Sequence, residues 1–434
     1  MRHVEIVLPD GTIKPFIESL QESEGFQSKN SKAQKLNEPA QDSGSSDEDA
    51  PKSARLLKKM RKLYGDSVRY NALTLEIELK GQKIKDLDRL YLTLAEDNRI
   101  DCKKEMASDC LVRIAKGHEY HPVKEYLERV EKEEAPCSID TLASIFLGTK
   151  GDEHARLYDA MLKCTLIGAV RRIFEPGCKH DSALILTGPQ GVRKSTFFNS
   201  LGGDWYDDSM QDVSQKDEVM KLHRSWIQEW AELDHITGKK HAGLIKAFLS
   251  SAQDPFRSPY GRSIESHPRM SIIVGTTNQD EFLDDPTGSR RFWVIPVLCG
   301  RIDTEQVKDL RDSIWAGAMK AYREGERNWL PEEMQSVANQ LAEERRMKDA
   351  WEDRLKAFVK DKTEFTTIEF LESIKDTANQ TRADMTRVGN CVRVIGGWVK
   401  KRTTMDDGSR EWRYVKLGEY APSKNTEEEW EGES

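Results

Sequence analysis

The apolar positions of this 434-residue chain fall into segments with different periods. Residues 21–51 (QESEGFQSKNSKAQKLNEPAQDSGSSDEDAP) carry almost no apolar side chain. Such a stretch cannot bury enough surface to offset the entropy of ordering, so a disordered acidic linker is expected. The preceding VEIVLPDGTIKPFIESL alternates like a short strand and turn. Residues 53–150 read as a helical N-terminal domain, with amphipathic runs at Ile84–Asn98 and Val123–Val130. The texture changes within 151–350. Apolar runs at 183–188 (ALILTG), 225–233 (SWIQEWAEL) and 270–278 (MSIIVGTTN) alternate there with helical patterns, as in a parallel sheet with crossover helices. Residues 351–417 predict three helices (WEDRLKAFVKD, TTIEFLESI and RADMTRVGNCVRVI). Two strands then flank Asp407-Gly408, a favourable hairpin turn. That order predicts a small winged-helix-like domain, followed by an acidic tail at 418–434. The fold class is expected to be α/β.

Charge changes this picture only at the ends. The chain holds 67 Lys and Arg against 75 Asp and Glu, for a net charge of -8. Residues 1–50 (5 basic, 10 acidic) and 418–434 (1 basic, 6 acidic) each contribute -5, which leaves 51–417 at +2. The acidic balance therefore does not exclude a nucleic-acid partner. Mean hydropathy is -0.70. No stretch approaches the roughly 18 apolar residues of a membrane span, and the start Met1-Arg2-His3-Val4-Glu5 lacks the apolar run of a signal peptide. The seven cysteines show neither a CxxC pair nor regular spacing, so neither a disulfide framework nor a zinc cluster is expected. These features predict a soluble cytoplasmic protein with no membrane partner.

The candidate chemistry begins where ALILT meets Gly188-Pro189-Gln190-Gly191-Val192-Arg193-Lys194-Ser195-Thr196, followed by a helical pattern. In G-x-x-x-x-G-K-[ST], backbone N–H groups wrap phosphates at a helix N-terminus. Lys194 would reach the β- and γ-phosphates, and Ser195 would hold Mg²⁺. The same residues would also suit a glycine-rich turn capping a helix, with Lys194 on the surface. Arg193 departs from the pattern, which wants glycine there. If that position needs a positive φ, arginine costs energy; if it is ordinary helical entry, arginine only adds charge.

Ser225–Asp234 is an apolar strand with acids at and beyond its end: Glu229, Glu232 and Asp234. A phosphate-loop ATPase needs one acid there for Mg²⁺ and a second for the attacking water. Glu229 and Glu232 lie three apart, so both serve only if the strand ends between them. Otherwise they solvate a strand end. Asn278 ends the next apolar run and would hydrogen-bond the γ-phosphate or the water; alternatively it starts a turn. Arg290 and Arg291 follow a glycine-containing turn and are candidates for a finger that completes a neighbouring subunit's site, or for a solvated turn.

Taken together, GPQGVRKST, WIQEWAELD, IKAFLSSAQDPFRSPYGR and IIVGTTNQDEFLDDPTGSRRFWVIPV resemble the virulence-associated E family. Its members are helicase-like ATPases of phages, plasmids and chromosomal islands, similar to superfamily 3 helicases within the AAA+ group. The likeness covers roughly residues 65–300, including HPVKEYLERV and GAVRRIFEPGCKHDSALILTG. The resemblance implies a P-loop (AAA+-like) ATPase core that uses ATP and Mg²⁺ and assembles as a homo-oligomeric ring, expected to be a hexamer. It implies that Gly188–Ser195 form the Walker A loop, Glu229 and Glu232 the Walker B carboxylates, Asn278 the sensor and Arg290 or Arg291 the arginine finger. The family usually has glycine at the Arg193 position. The first 60 residues leave no room for the primase domain that many relatives carry, so primer synthesis is not expected.

Two segments are candidates for contact with DNA, single-stranded in particular. Lys239, Lys240, His241, Lys246, Arg257, Arg262 and Arg269 are interleaved with Phe256 and Tyr260; cations neutralise phosphates and aromatics stack on unpaired bases. In superfamily 3 relatives this segment carries a channel-lining hairpin, which favours Arg257 and Arg262. Asp254 and Arg257 would equally suit a local ion pair. The second segment, 382–416, holds 9 basic and 4 acidic residues. There Arg387 and Arg393 would lie on a recognition helix and Lys400, Lys401 and Arg402 on a wing. The expectation is a helicase-like ATPase serving replication of a mobile element. The competing readings are a nucleotide-binding assembly factor with a degenerate loop and, less well supported, a metabolic kinase.

Overall fold

The computed structural model describes residues 5–7, 13–15, 50–210, 216–231, 242–259, 263–279, 281–282, 289–346, 349–404 and 410–417. The linker and tail expected from composition, and the Asp407-Gly408 turn, lie outside them. The chain divides into two compact units. One comprises Met1–Ile236, Gly243–Asp280 and Arg290–Ala338; the other comprises Thr237–Ala242, Glu281–Ser289 and Asn339–Ser434.

The first unit holds two sheets besides short hairpins. A four-stranded sheet orders Gln82–Lys83, Glu76–Leu79, Val68–Asn71 and Glu119–Tyr120, with the last strand parallel to its neighbour and the others antiparallel. Helices Lys52–Tyr64, Leu90–Asn98 and Lys104–Gly117 pack on it around Met60, Val68, Ile77, Leu94 and Leu111. The expectation of a helical 53–150 domain is thus amended by a four-stranded sheet. The expected helix from Ile84 begins only at Leu90, after a 3₁₀ turn over Leu87–Arg89. Lys80 and Gly81 both take positive φ (52° and 77°), which closes a two-residue hairpin between short strands.

The second sheet is fully parallel and has the spatial order Phe292–Pro296, Ala183–Thr187, Ile272–Thr277, Ile227–Trp230, Tyr206–Asp207. Its three middle strands are buried throughout; Ala183–Thr187 and Ile272–Thr277 are accordingly near-continuous apolar runs, whereas Ile227–Trp230 also buries Gln228 and Glu229. The largely buried helix Ala155–Phe174 packs against it, and helix Arg311–Arg323 packs on that helix, with the Trp315 ring tilted 4.1 Å from Trp226, just before the Ile227–Trp230 strand. Because the strands are parallel, their C-terminal ends share one edge, the place where open α/β sheets bind ligands.

In the second unit, helices Ala350–Phe358, Thr367–Glu372 and Arg382–Ile395 each begin in a capping box: Asp349/Glu352, Thr366/Glu369 and Thr381/Asp384. Trp398–Thr404 and Arg410–Lys416 pair antiparallel, and Glu364–Phe365 adds a third strand. The core gathers Leu355, Phe365, Phe370, Leu371, Val388 and Val392.

Candidate nucleotide site and nucleic-acid surfaces

The loop from Gly188 to Arg193 joins the Ala183–Thr187 strand to helix Lys194–Gly202. Gly191 takes φ 86°, and Arg193 takes φ 70°. The Arg193 position is therefore left-handed, and a non-glycine residue there costs about 1 kcal/mol. Its guanidinium donates to Thr304 Oγ1 at 2.9 Å, and Ile302 N–H donates to Val192 O at 3.1 Å. At the far end of the helix, Arg311 Nε and Trp315 Nε1 each donate to Leu201 O at 2.9 Å. Segment 302–315 thus holds the helix at both ends.

Lys194 is buried rather than on the surface, which excludes the plain capped-turn alternative for its side chain. Its ammonium donates to Gly188 O (2.8 Å), Pro189 O (3.0 Å) and Asn278 Oδ1 (2.7 Å). Burial lowers its pKa, and the Glu229 charge opposes that shift. Glu229 is fully buried on its strand. Ser195 Oγ and Thr276 Oγ1 donate to its Oε1, both at 2.7 Å, and Tyr206 OH donates to its Oε2 at 2.6 Å. Burial, together with the charges of Glu229 and Asp208, pushes the Tyr206 phenol well above its usual value. Among the described residues no Lys, Arg or His forms an ion pair with Glu229. A buried carboxylate ringed by hydroxyl donors, with a serine from the loop helix on the same oxygen, is a donor set that suits a hard divalent cation.

Sequence reasoning brought Lys194, Ser195, Glu229 and Asn278 to this strand edge, and the structure joins them. It missed Thr276, Tyr206 and Thr304. Thr276 carried a signal: it lies two residues before Asn278, on the same face of the strand. Tyr206 had none, because its strand is two residues long. Glu232 lies outside the described residues. Arg290 is exposed, whereas Arg291 Nε donates to Ser250 Oγ at 3.0 Å.

The nucleic-acid candidates sort differently. Strands Gln253–Phe256 and Glu265–Pro268 form a hairpin, with exposed Arg257 just past the loop end of its first strand; Lys246 is half-buried, and Arg262 lies outside the described residues. Asp254 does not serve Arg257. It accepts from Arg269 Nε (2.6 Å) and Nη2 (2.7 Å) and lies 2.9 Å from His223 Nε2. Burial works against its charge, but the Arg269 and His223 hydrogen bonds outweigh that and hold the carboxyl at about 2. Arg269 is therefore a buried structural cation, not a DNA contact.

Arg387 needs the same correction. It forms a bidentate pair with Asp349 (2.8 and 2.7 Å) and stacks over Trp351 at 4.1 Å. Asp349 caps the neighbouring helix, so this pair ties two helices together. Arg393 and Lys400 do meet, in a groove with Arg382, Asn390, Trp398 and Tyr414. Lys401 alternates away from Lys400 and Arg402 along the strand. No helix among the described residues is long and apolar enough to cross a membrane, and no cluster of metal ligands of the His, Cys, Asp and Glu kind occurs among them.

The fold and site define a mixed α/β protein with a parallel sheet and a lysine-bearing loop at its ligand edge. The model of the virulence-associated protein E-like domain matches residues 127–347, just over half of the chain, and the chain belongs to that family. Among solved structures the chain is similar to the apo structure of the NrS-1 C terminal region (305-718), at 12% identity and a TM-score of 0.48, covering 85% of this chain and 100% of that one. It is also similar to the A form apo structure of the same region, at 11% identity and a TM-score of 0.41, covering 83% and 98%. No curated protein matches the sequence.

Proposed function

We propose that this chain is an ATP-hydrolysing, helicase-like motor that acts on DNA in the replication of a mobile element. The observation that carries the reading is the convergence of Lys194, Ser195, Glu229 and Asn278 on one edge of a parallel sheet. On this reading the core is an AAA+-like P-loop ATPase, and the loop from Gly188 to Thr196 binds nucleotide with its backbone N–H groups. Ser195 and Glu229 would hold Mg²⁺, which when bound neutralises charge on the phosphate oxygens. Lys194 binds phosphate, and Asn278, hydrogen-bonded to it, orients water. Glu232 is the candidate base.

Arg290 fits a finger supplied to a neighbouring copy in a ring, expected to be a hexamer, better than Arg291, whose guanidinium is engaged with Ser250. The second unit's helices and hairpin fit a winged-helix domain that meets DNA through Arg382, Arg393, Lys400 and Arg402. Arg257 and Lys246, with Arg262, remain the contacts proposed for the first unit.

One observation favours a second reading, a nucleotide-dependent assembly factor without turnover: Arg193 stands in a left-handed position and is tied to Thr304. ATP hydrolysis with and without single-stranded DNA separates the two, with wild type beside Lys194→Ala. The motor requires DNA-stimulated turnover that falls at least ~100-fold in the variant, the loss of one main transition-state contact. Tight ATP binding with no turnover in either protein would overturn it in favour of the assembly factor.

A further inference from the structure

Helix Lys52–Tyr64 (KSARLLKKMRKLY) carries six cations and no acid. At 3.6 residues per turn, Lys52, Arg55, Lys59 and Lys62 fall within an arc of about 80°. Leu56 and Met60 lie on the adjoining arc and are buried in the core around the four-stranded sheet, and Leu56 also forms part of the groove floor beside the cations. Like charges at these spacings repel, and a helix that faced only solvent would gain from interspersed acids. Helix Pro122–Glu133 shows that alternative: its Arg129 pairs with Glu133 and Asp312, and its Glu131 pairs with Arg323. By contrast, the side chains of Lys52, Arg55, Lys59, Arg61 and Lys62 have no hydrogen-bond or ion-pair partner among the described residues.

The fold adds a further cation that sequence order does not. Lys103, from the start of another helix, lines a groove with Lys52, Arg55 and Lys59, against one acid, Asp101. We infer that this face of helix Lys52–Tyr64, with Lys103, docks the sugar–phosphate backbone of a nucleic acid. Four cations around one groove match a polyanion of regular charge spacing. No aromatic side chain lines the groove, so contact is with backbone and not with stacked bases, and duplex and single strand are bound alike. An anionic membrane surface fits less well, because the helix's apolar face is already buried in the core. The inference concerns binding alone and does not depend on whether the Lys194 loop hydrolyses nucleotide.

The test is fluorescence anisotropy of a labelled single strand and of the same sequence as a duplex, titrated with the full chain across a range of NaCl. Wild type is compared with Lys52→Gln/Arg55→Gln/Lys59→Gln. Arg301→Gln/Lys308→Gln/Lys320→Gln removes the same charge from exposed positions elsewhere and serves as the control. Thermal melts check that both variants fold. Each lost phosphate contact flattens the plot of log affinity against log salt by about 0.7–0.9. The helix variant is expected to lose about 2–3 in slope on both probes and at least ~10-fold in affinity at low salt, with the control near wild type. A helix variant indistinguishable from the control on both probes overturns the inference and leaves the face to an acidic protein segment. Loss on the single strand alone overturns it equally, since it would indicate base contact.

Discussion

Glu229 and Asp254 are both buried carboxylates of the first unit, and they are treated in opposite ways. Asp254 receives a bidentate arginine and a histidine contact, so the chain itself neutralises its charge. Glu229, more deeply buried, accepts from three hydroxyls and has no ion-paired cation among the described residues, feeling only the nearby Lys194 charge. A carboxylate compensated from within holds structure together. One left with neutral hydrogen-bond donors at the edge of a parallel sheet suits completion from outside, as proposed for Glu229. The first locks the base of a hairpin; the second is the proposed seat of Mg²⁺.

The largest effect expected from this contrast is on folding. Asp254→Asn strands Arg269 in the core and should cost about 3–5 kcal/mol in urea unfolding. Glu229→Gln, a substitution of the same kind, can still accept from Ser195 and Thr276 through its amide oxygen while Tyr206 OH turns to accept from its amide nitrogen, and should change stability by less than about 1 kcal/mol. Equal losses would erase the distinction. Acid sharpens it. The folded Asp254 carboxyl, at about 2, lies below its ordinary 3.8, so its contribution is present above pH 3.8 and is lost as pH falls through 2. Wild type should lose about 2 kcal/mol across that window, a loss that Asp254→Asn lacks.

The smallest effect concerns the loop itself. Arg193→Gly and Arg193→Ala both remove the Thr304 tether, but only alanine keeps the penalty of a left-handed backbone. Glycine should be the more stable of the two by about 1 kcal/mol in the same unfolding assay. Alanine matching or exceeding it would mean that the position is ordinary helical entry.

The parts of the site that were legible in sequence were local. A buried parallel strand shows as an unbroken apolar run, and a phosphate-type loop must follow it directly; 183–196 displays both within fourteen residues. The three helices after residue 349 were equally legible from their local patterns, while the capping boxes that start them went unread. Contacts set by tertiary pairing were hidden. Arg387 and Arg269 looked like solvent-facing cations because their acids lie 38 and 15 residues away. Tyr206 reaches Glu229 only through a sheet-edge strand too short to announce itself. The N-terminal sheet was missed for the same reason, its strands being two to four residues long between strong helical patterns.

The central claim is that Glu229 is completed by a divalent cation bound with nucleotide. Calorimetric titration of ATP into wild type and Glu229→Gln, each with and without Mg²⁺, addresses it directly. The account predicts that Mg²⁺ tightens ATP binding to wild type by at least ~10-fold, about 1.4 kcal/mol, and leaves the Glu229→Gln affinity unchanged within about twofold. An equal gain from Mg²⁺ in both proteins would contradict it and return Glu229 to a purely structural role.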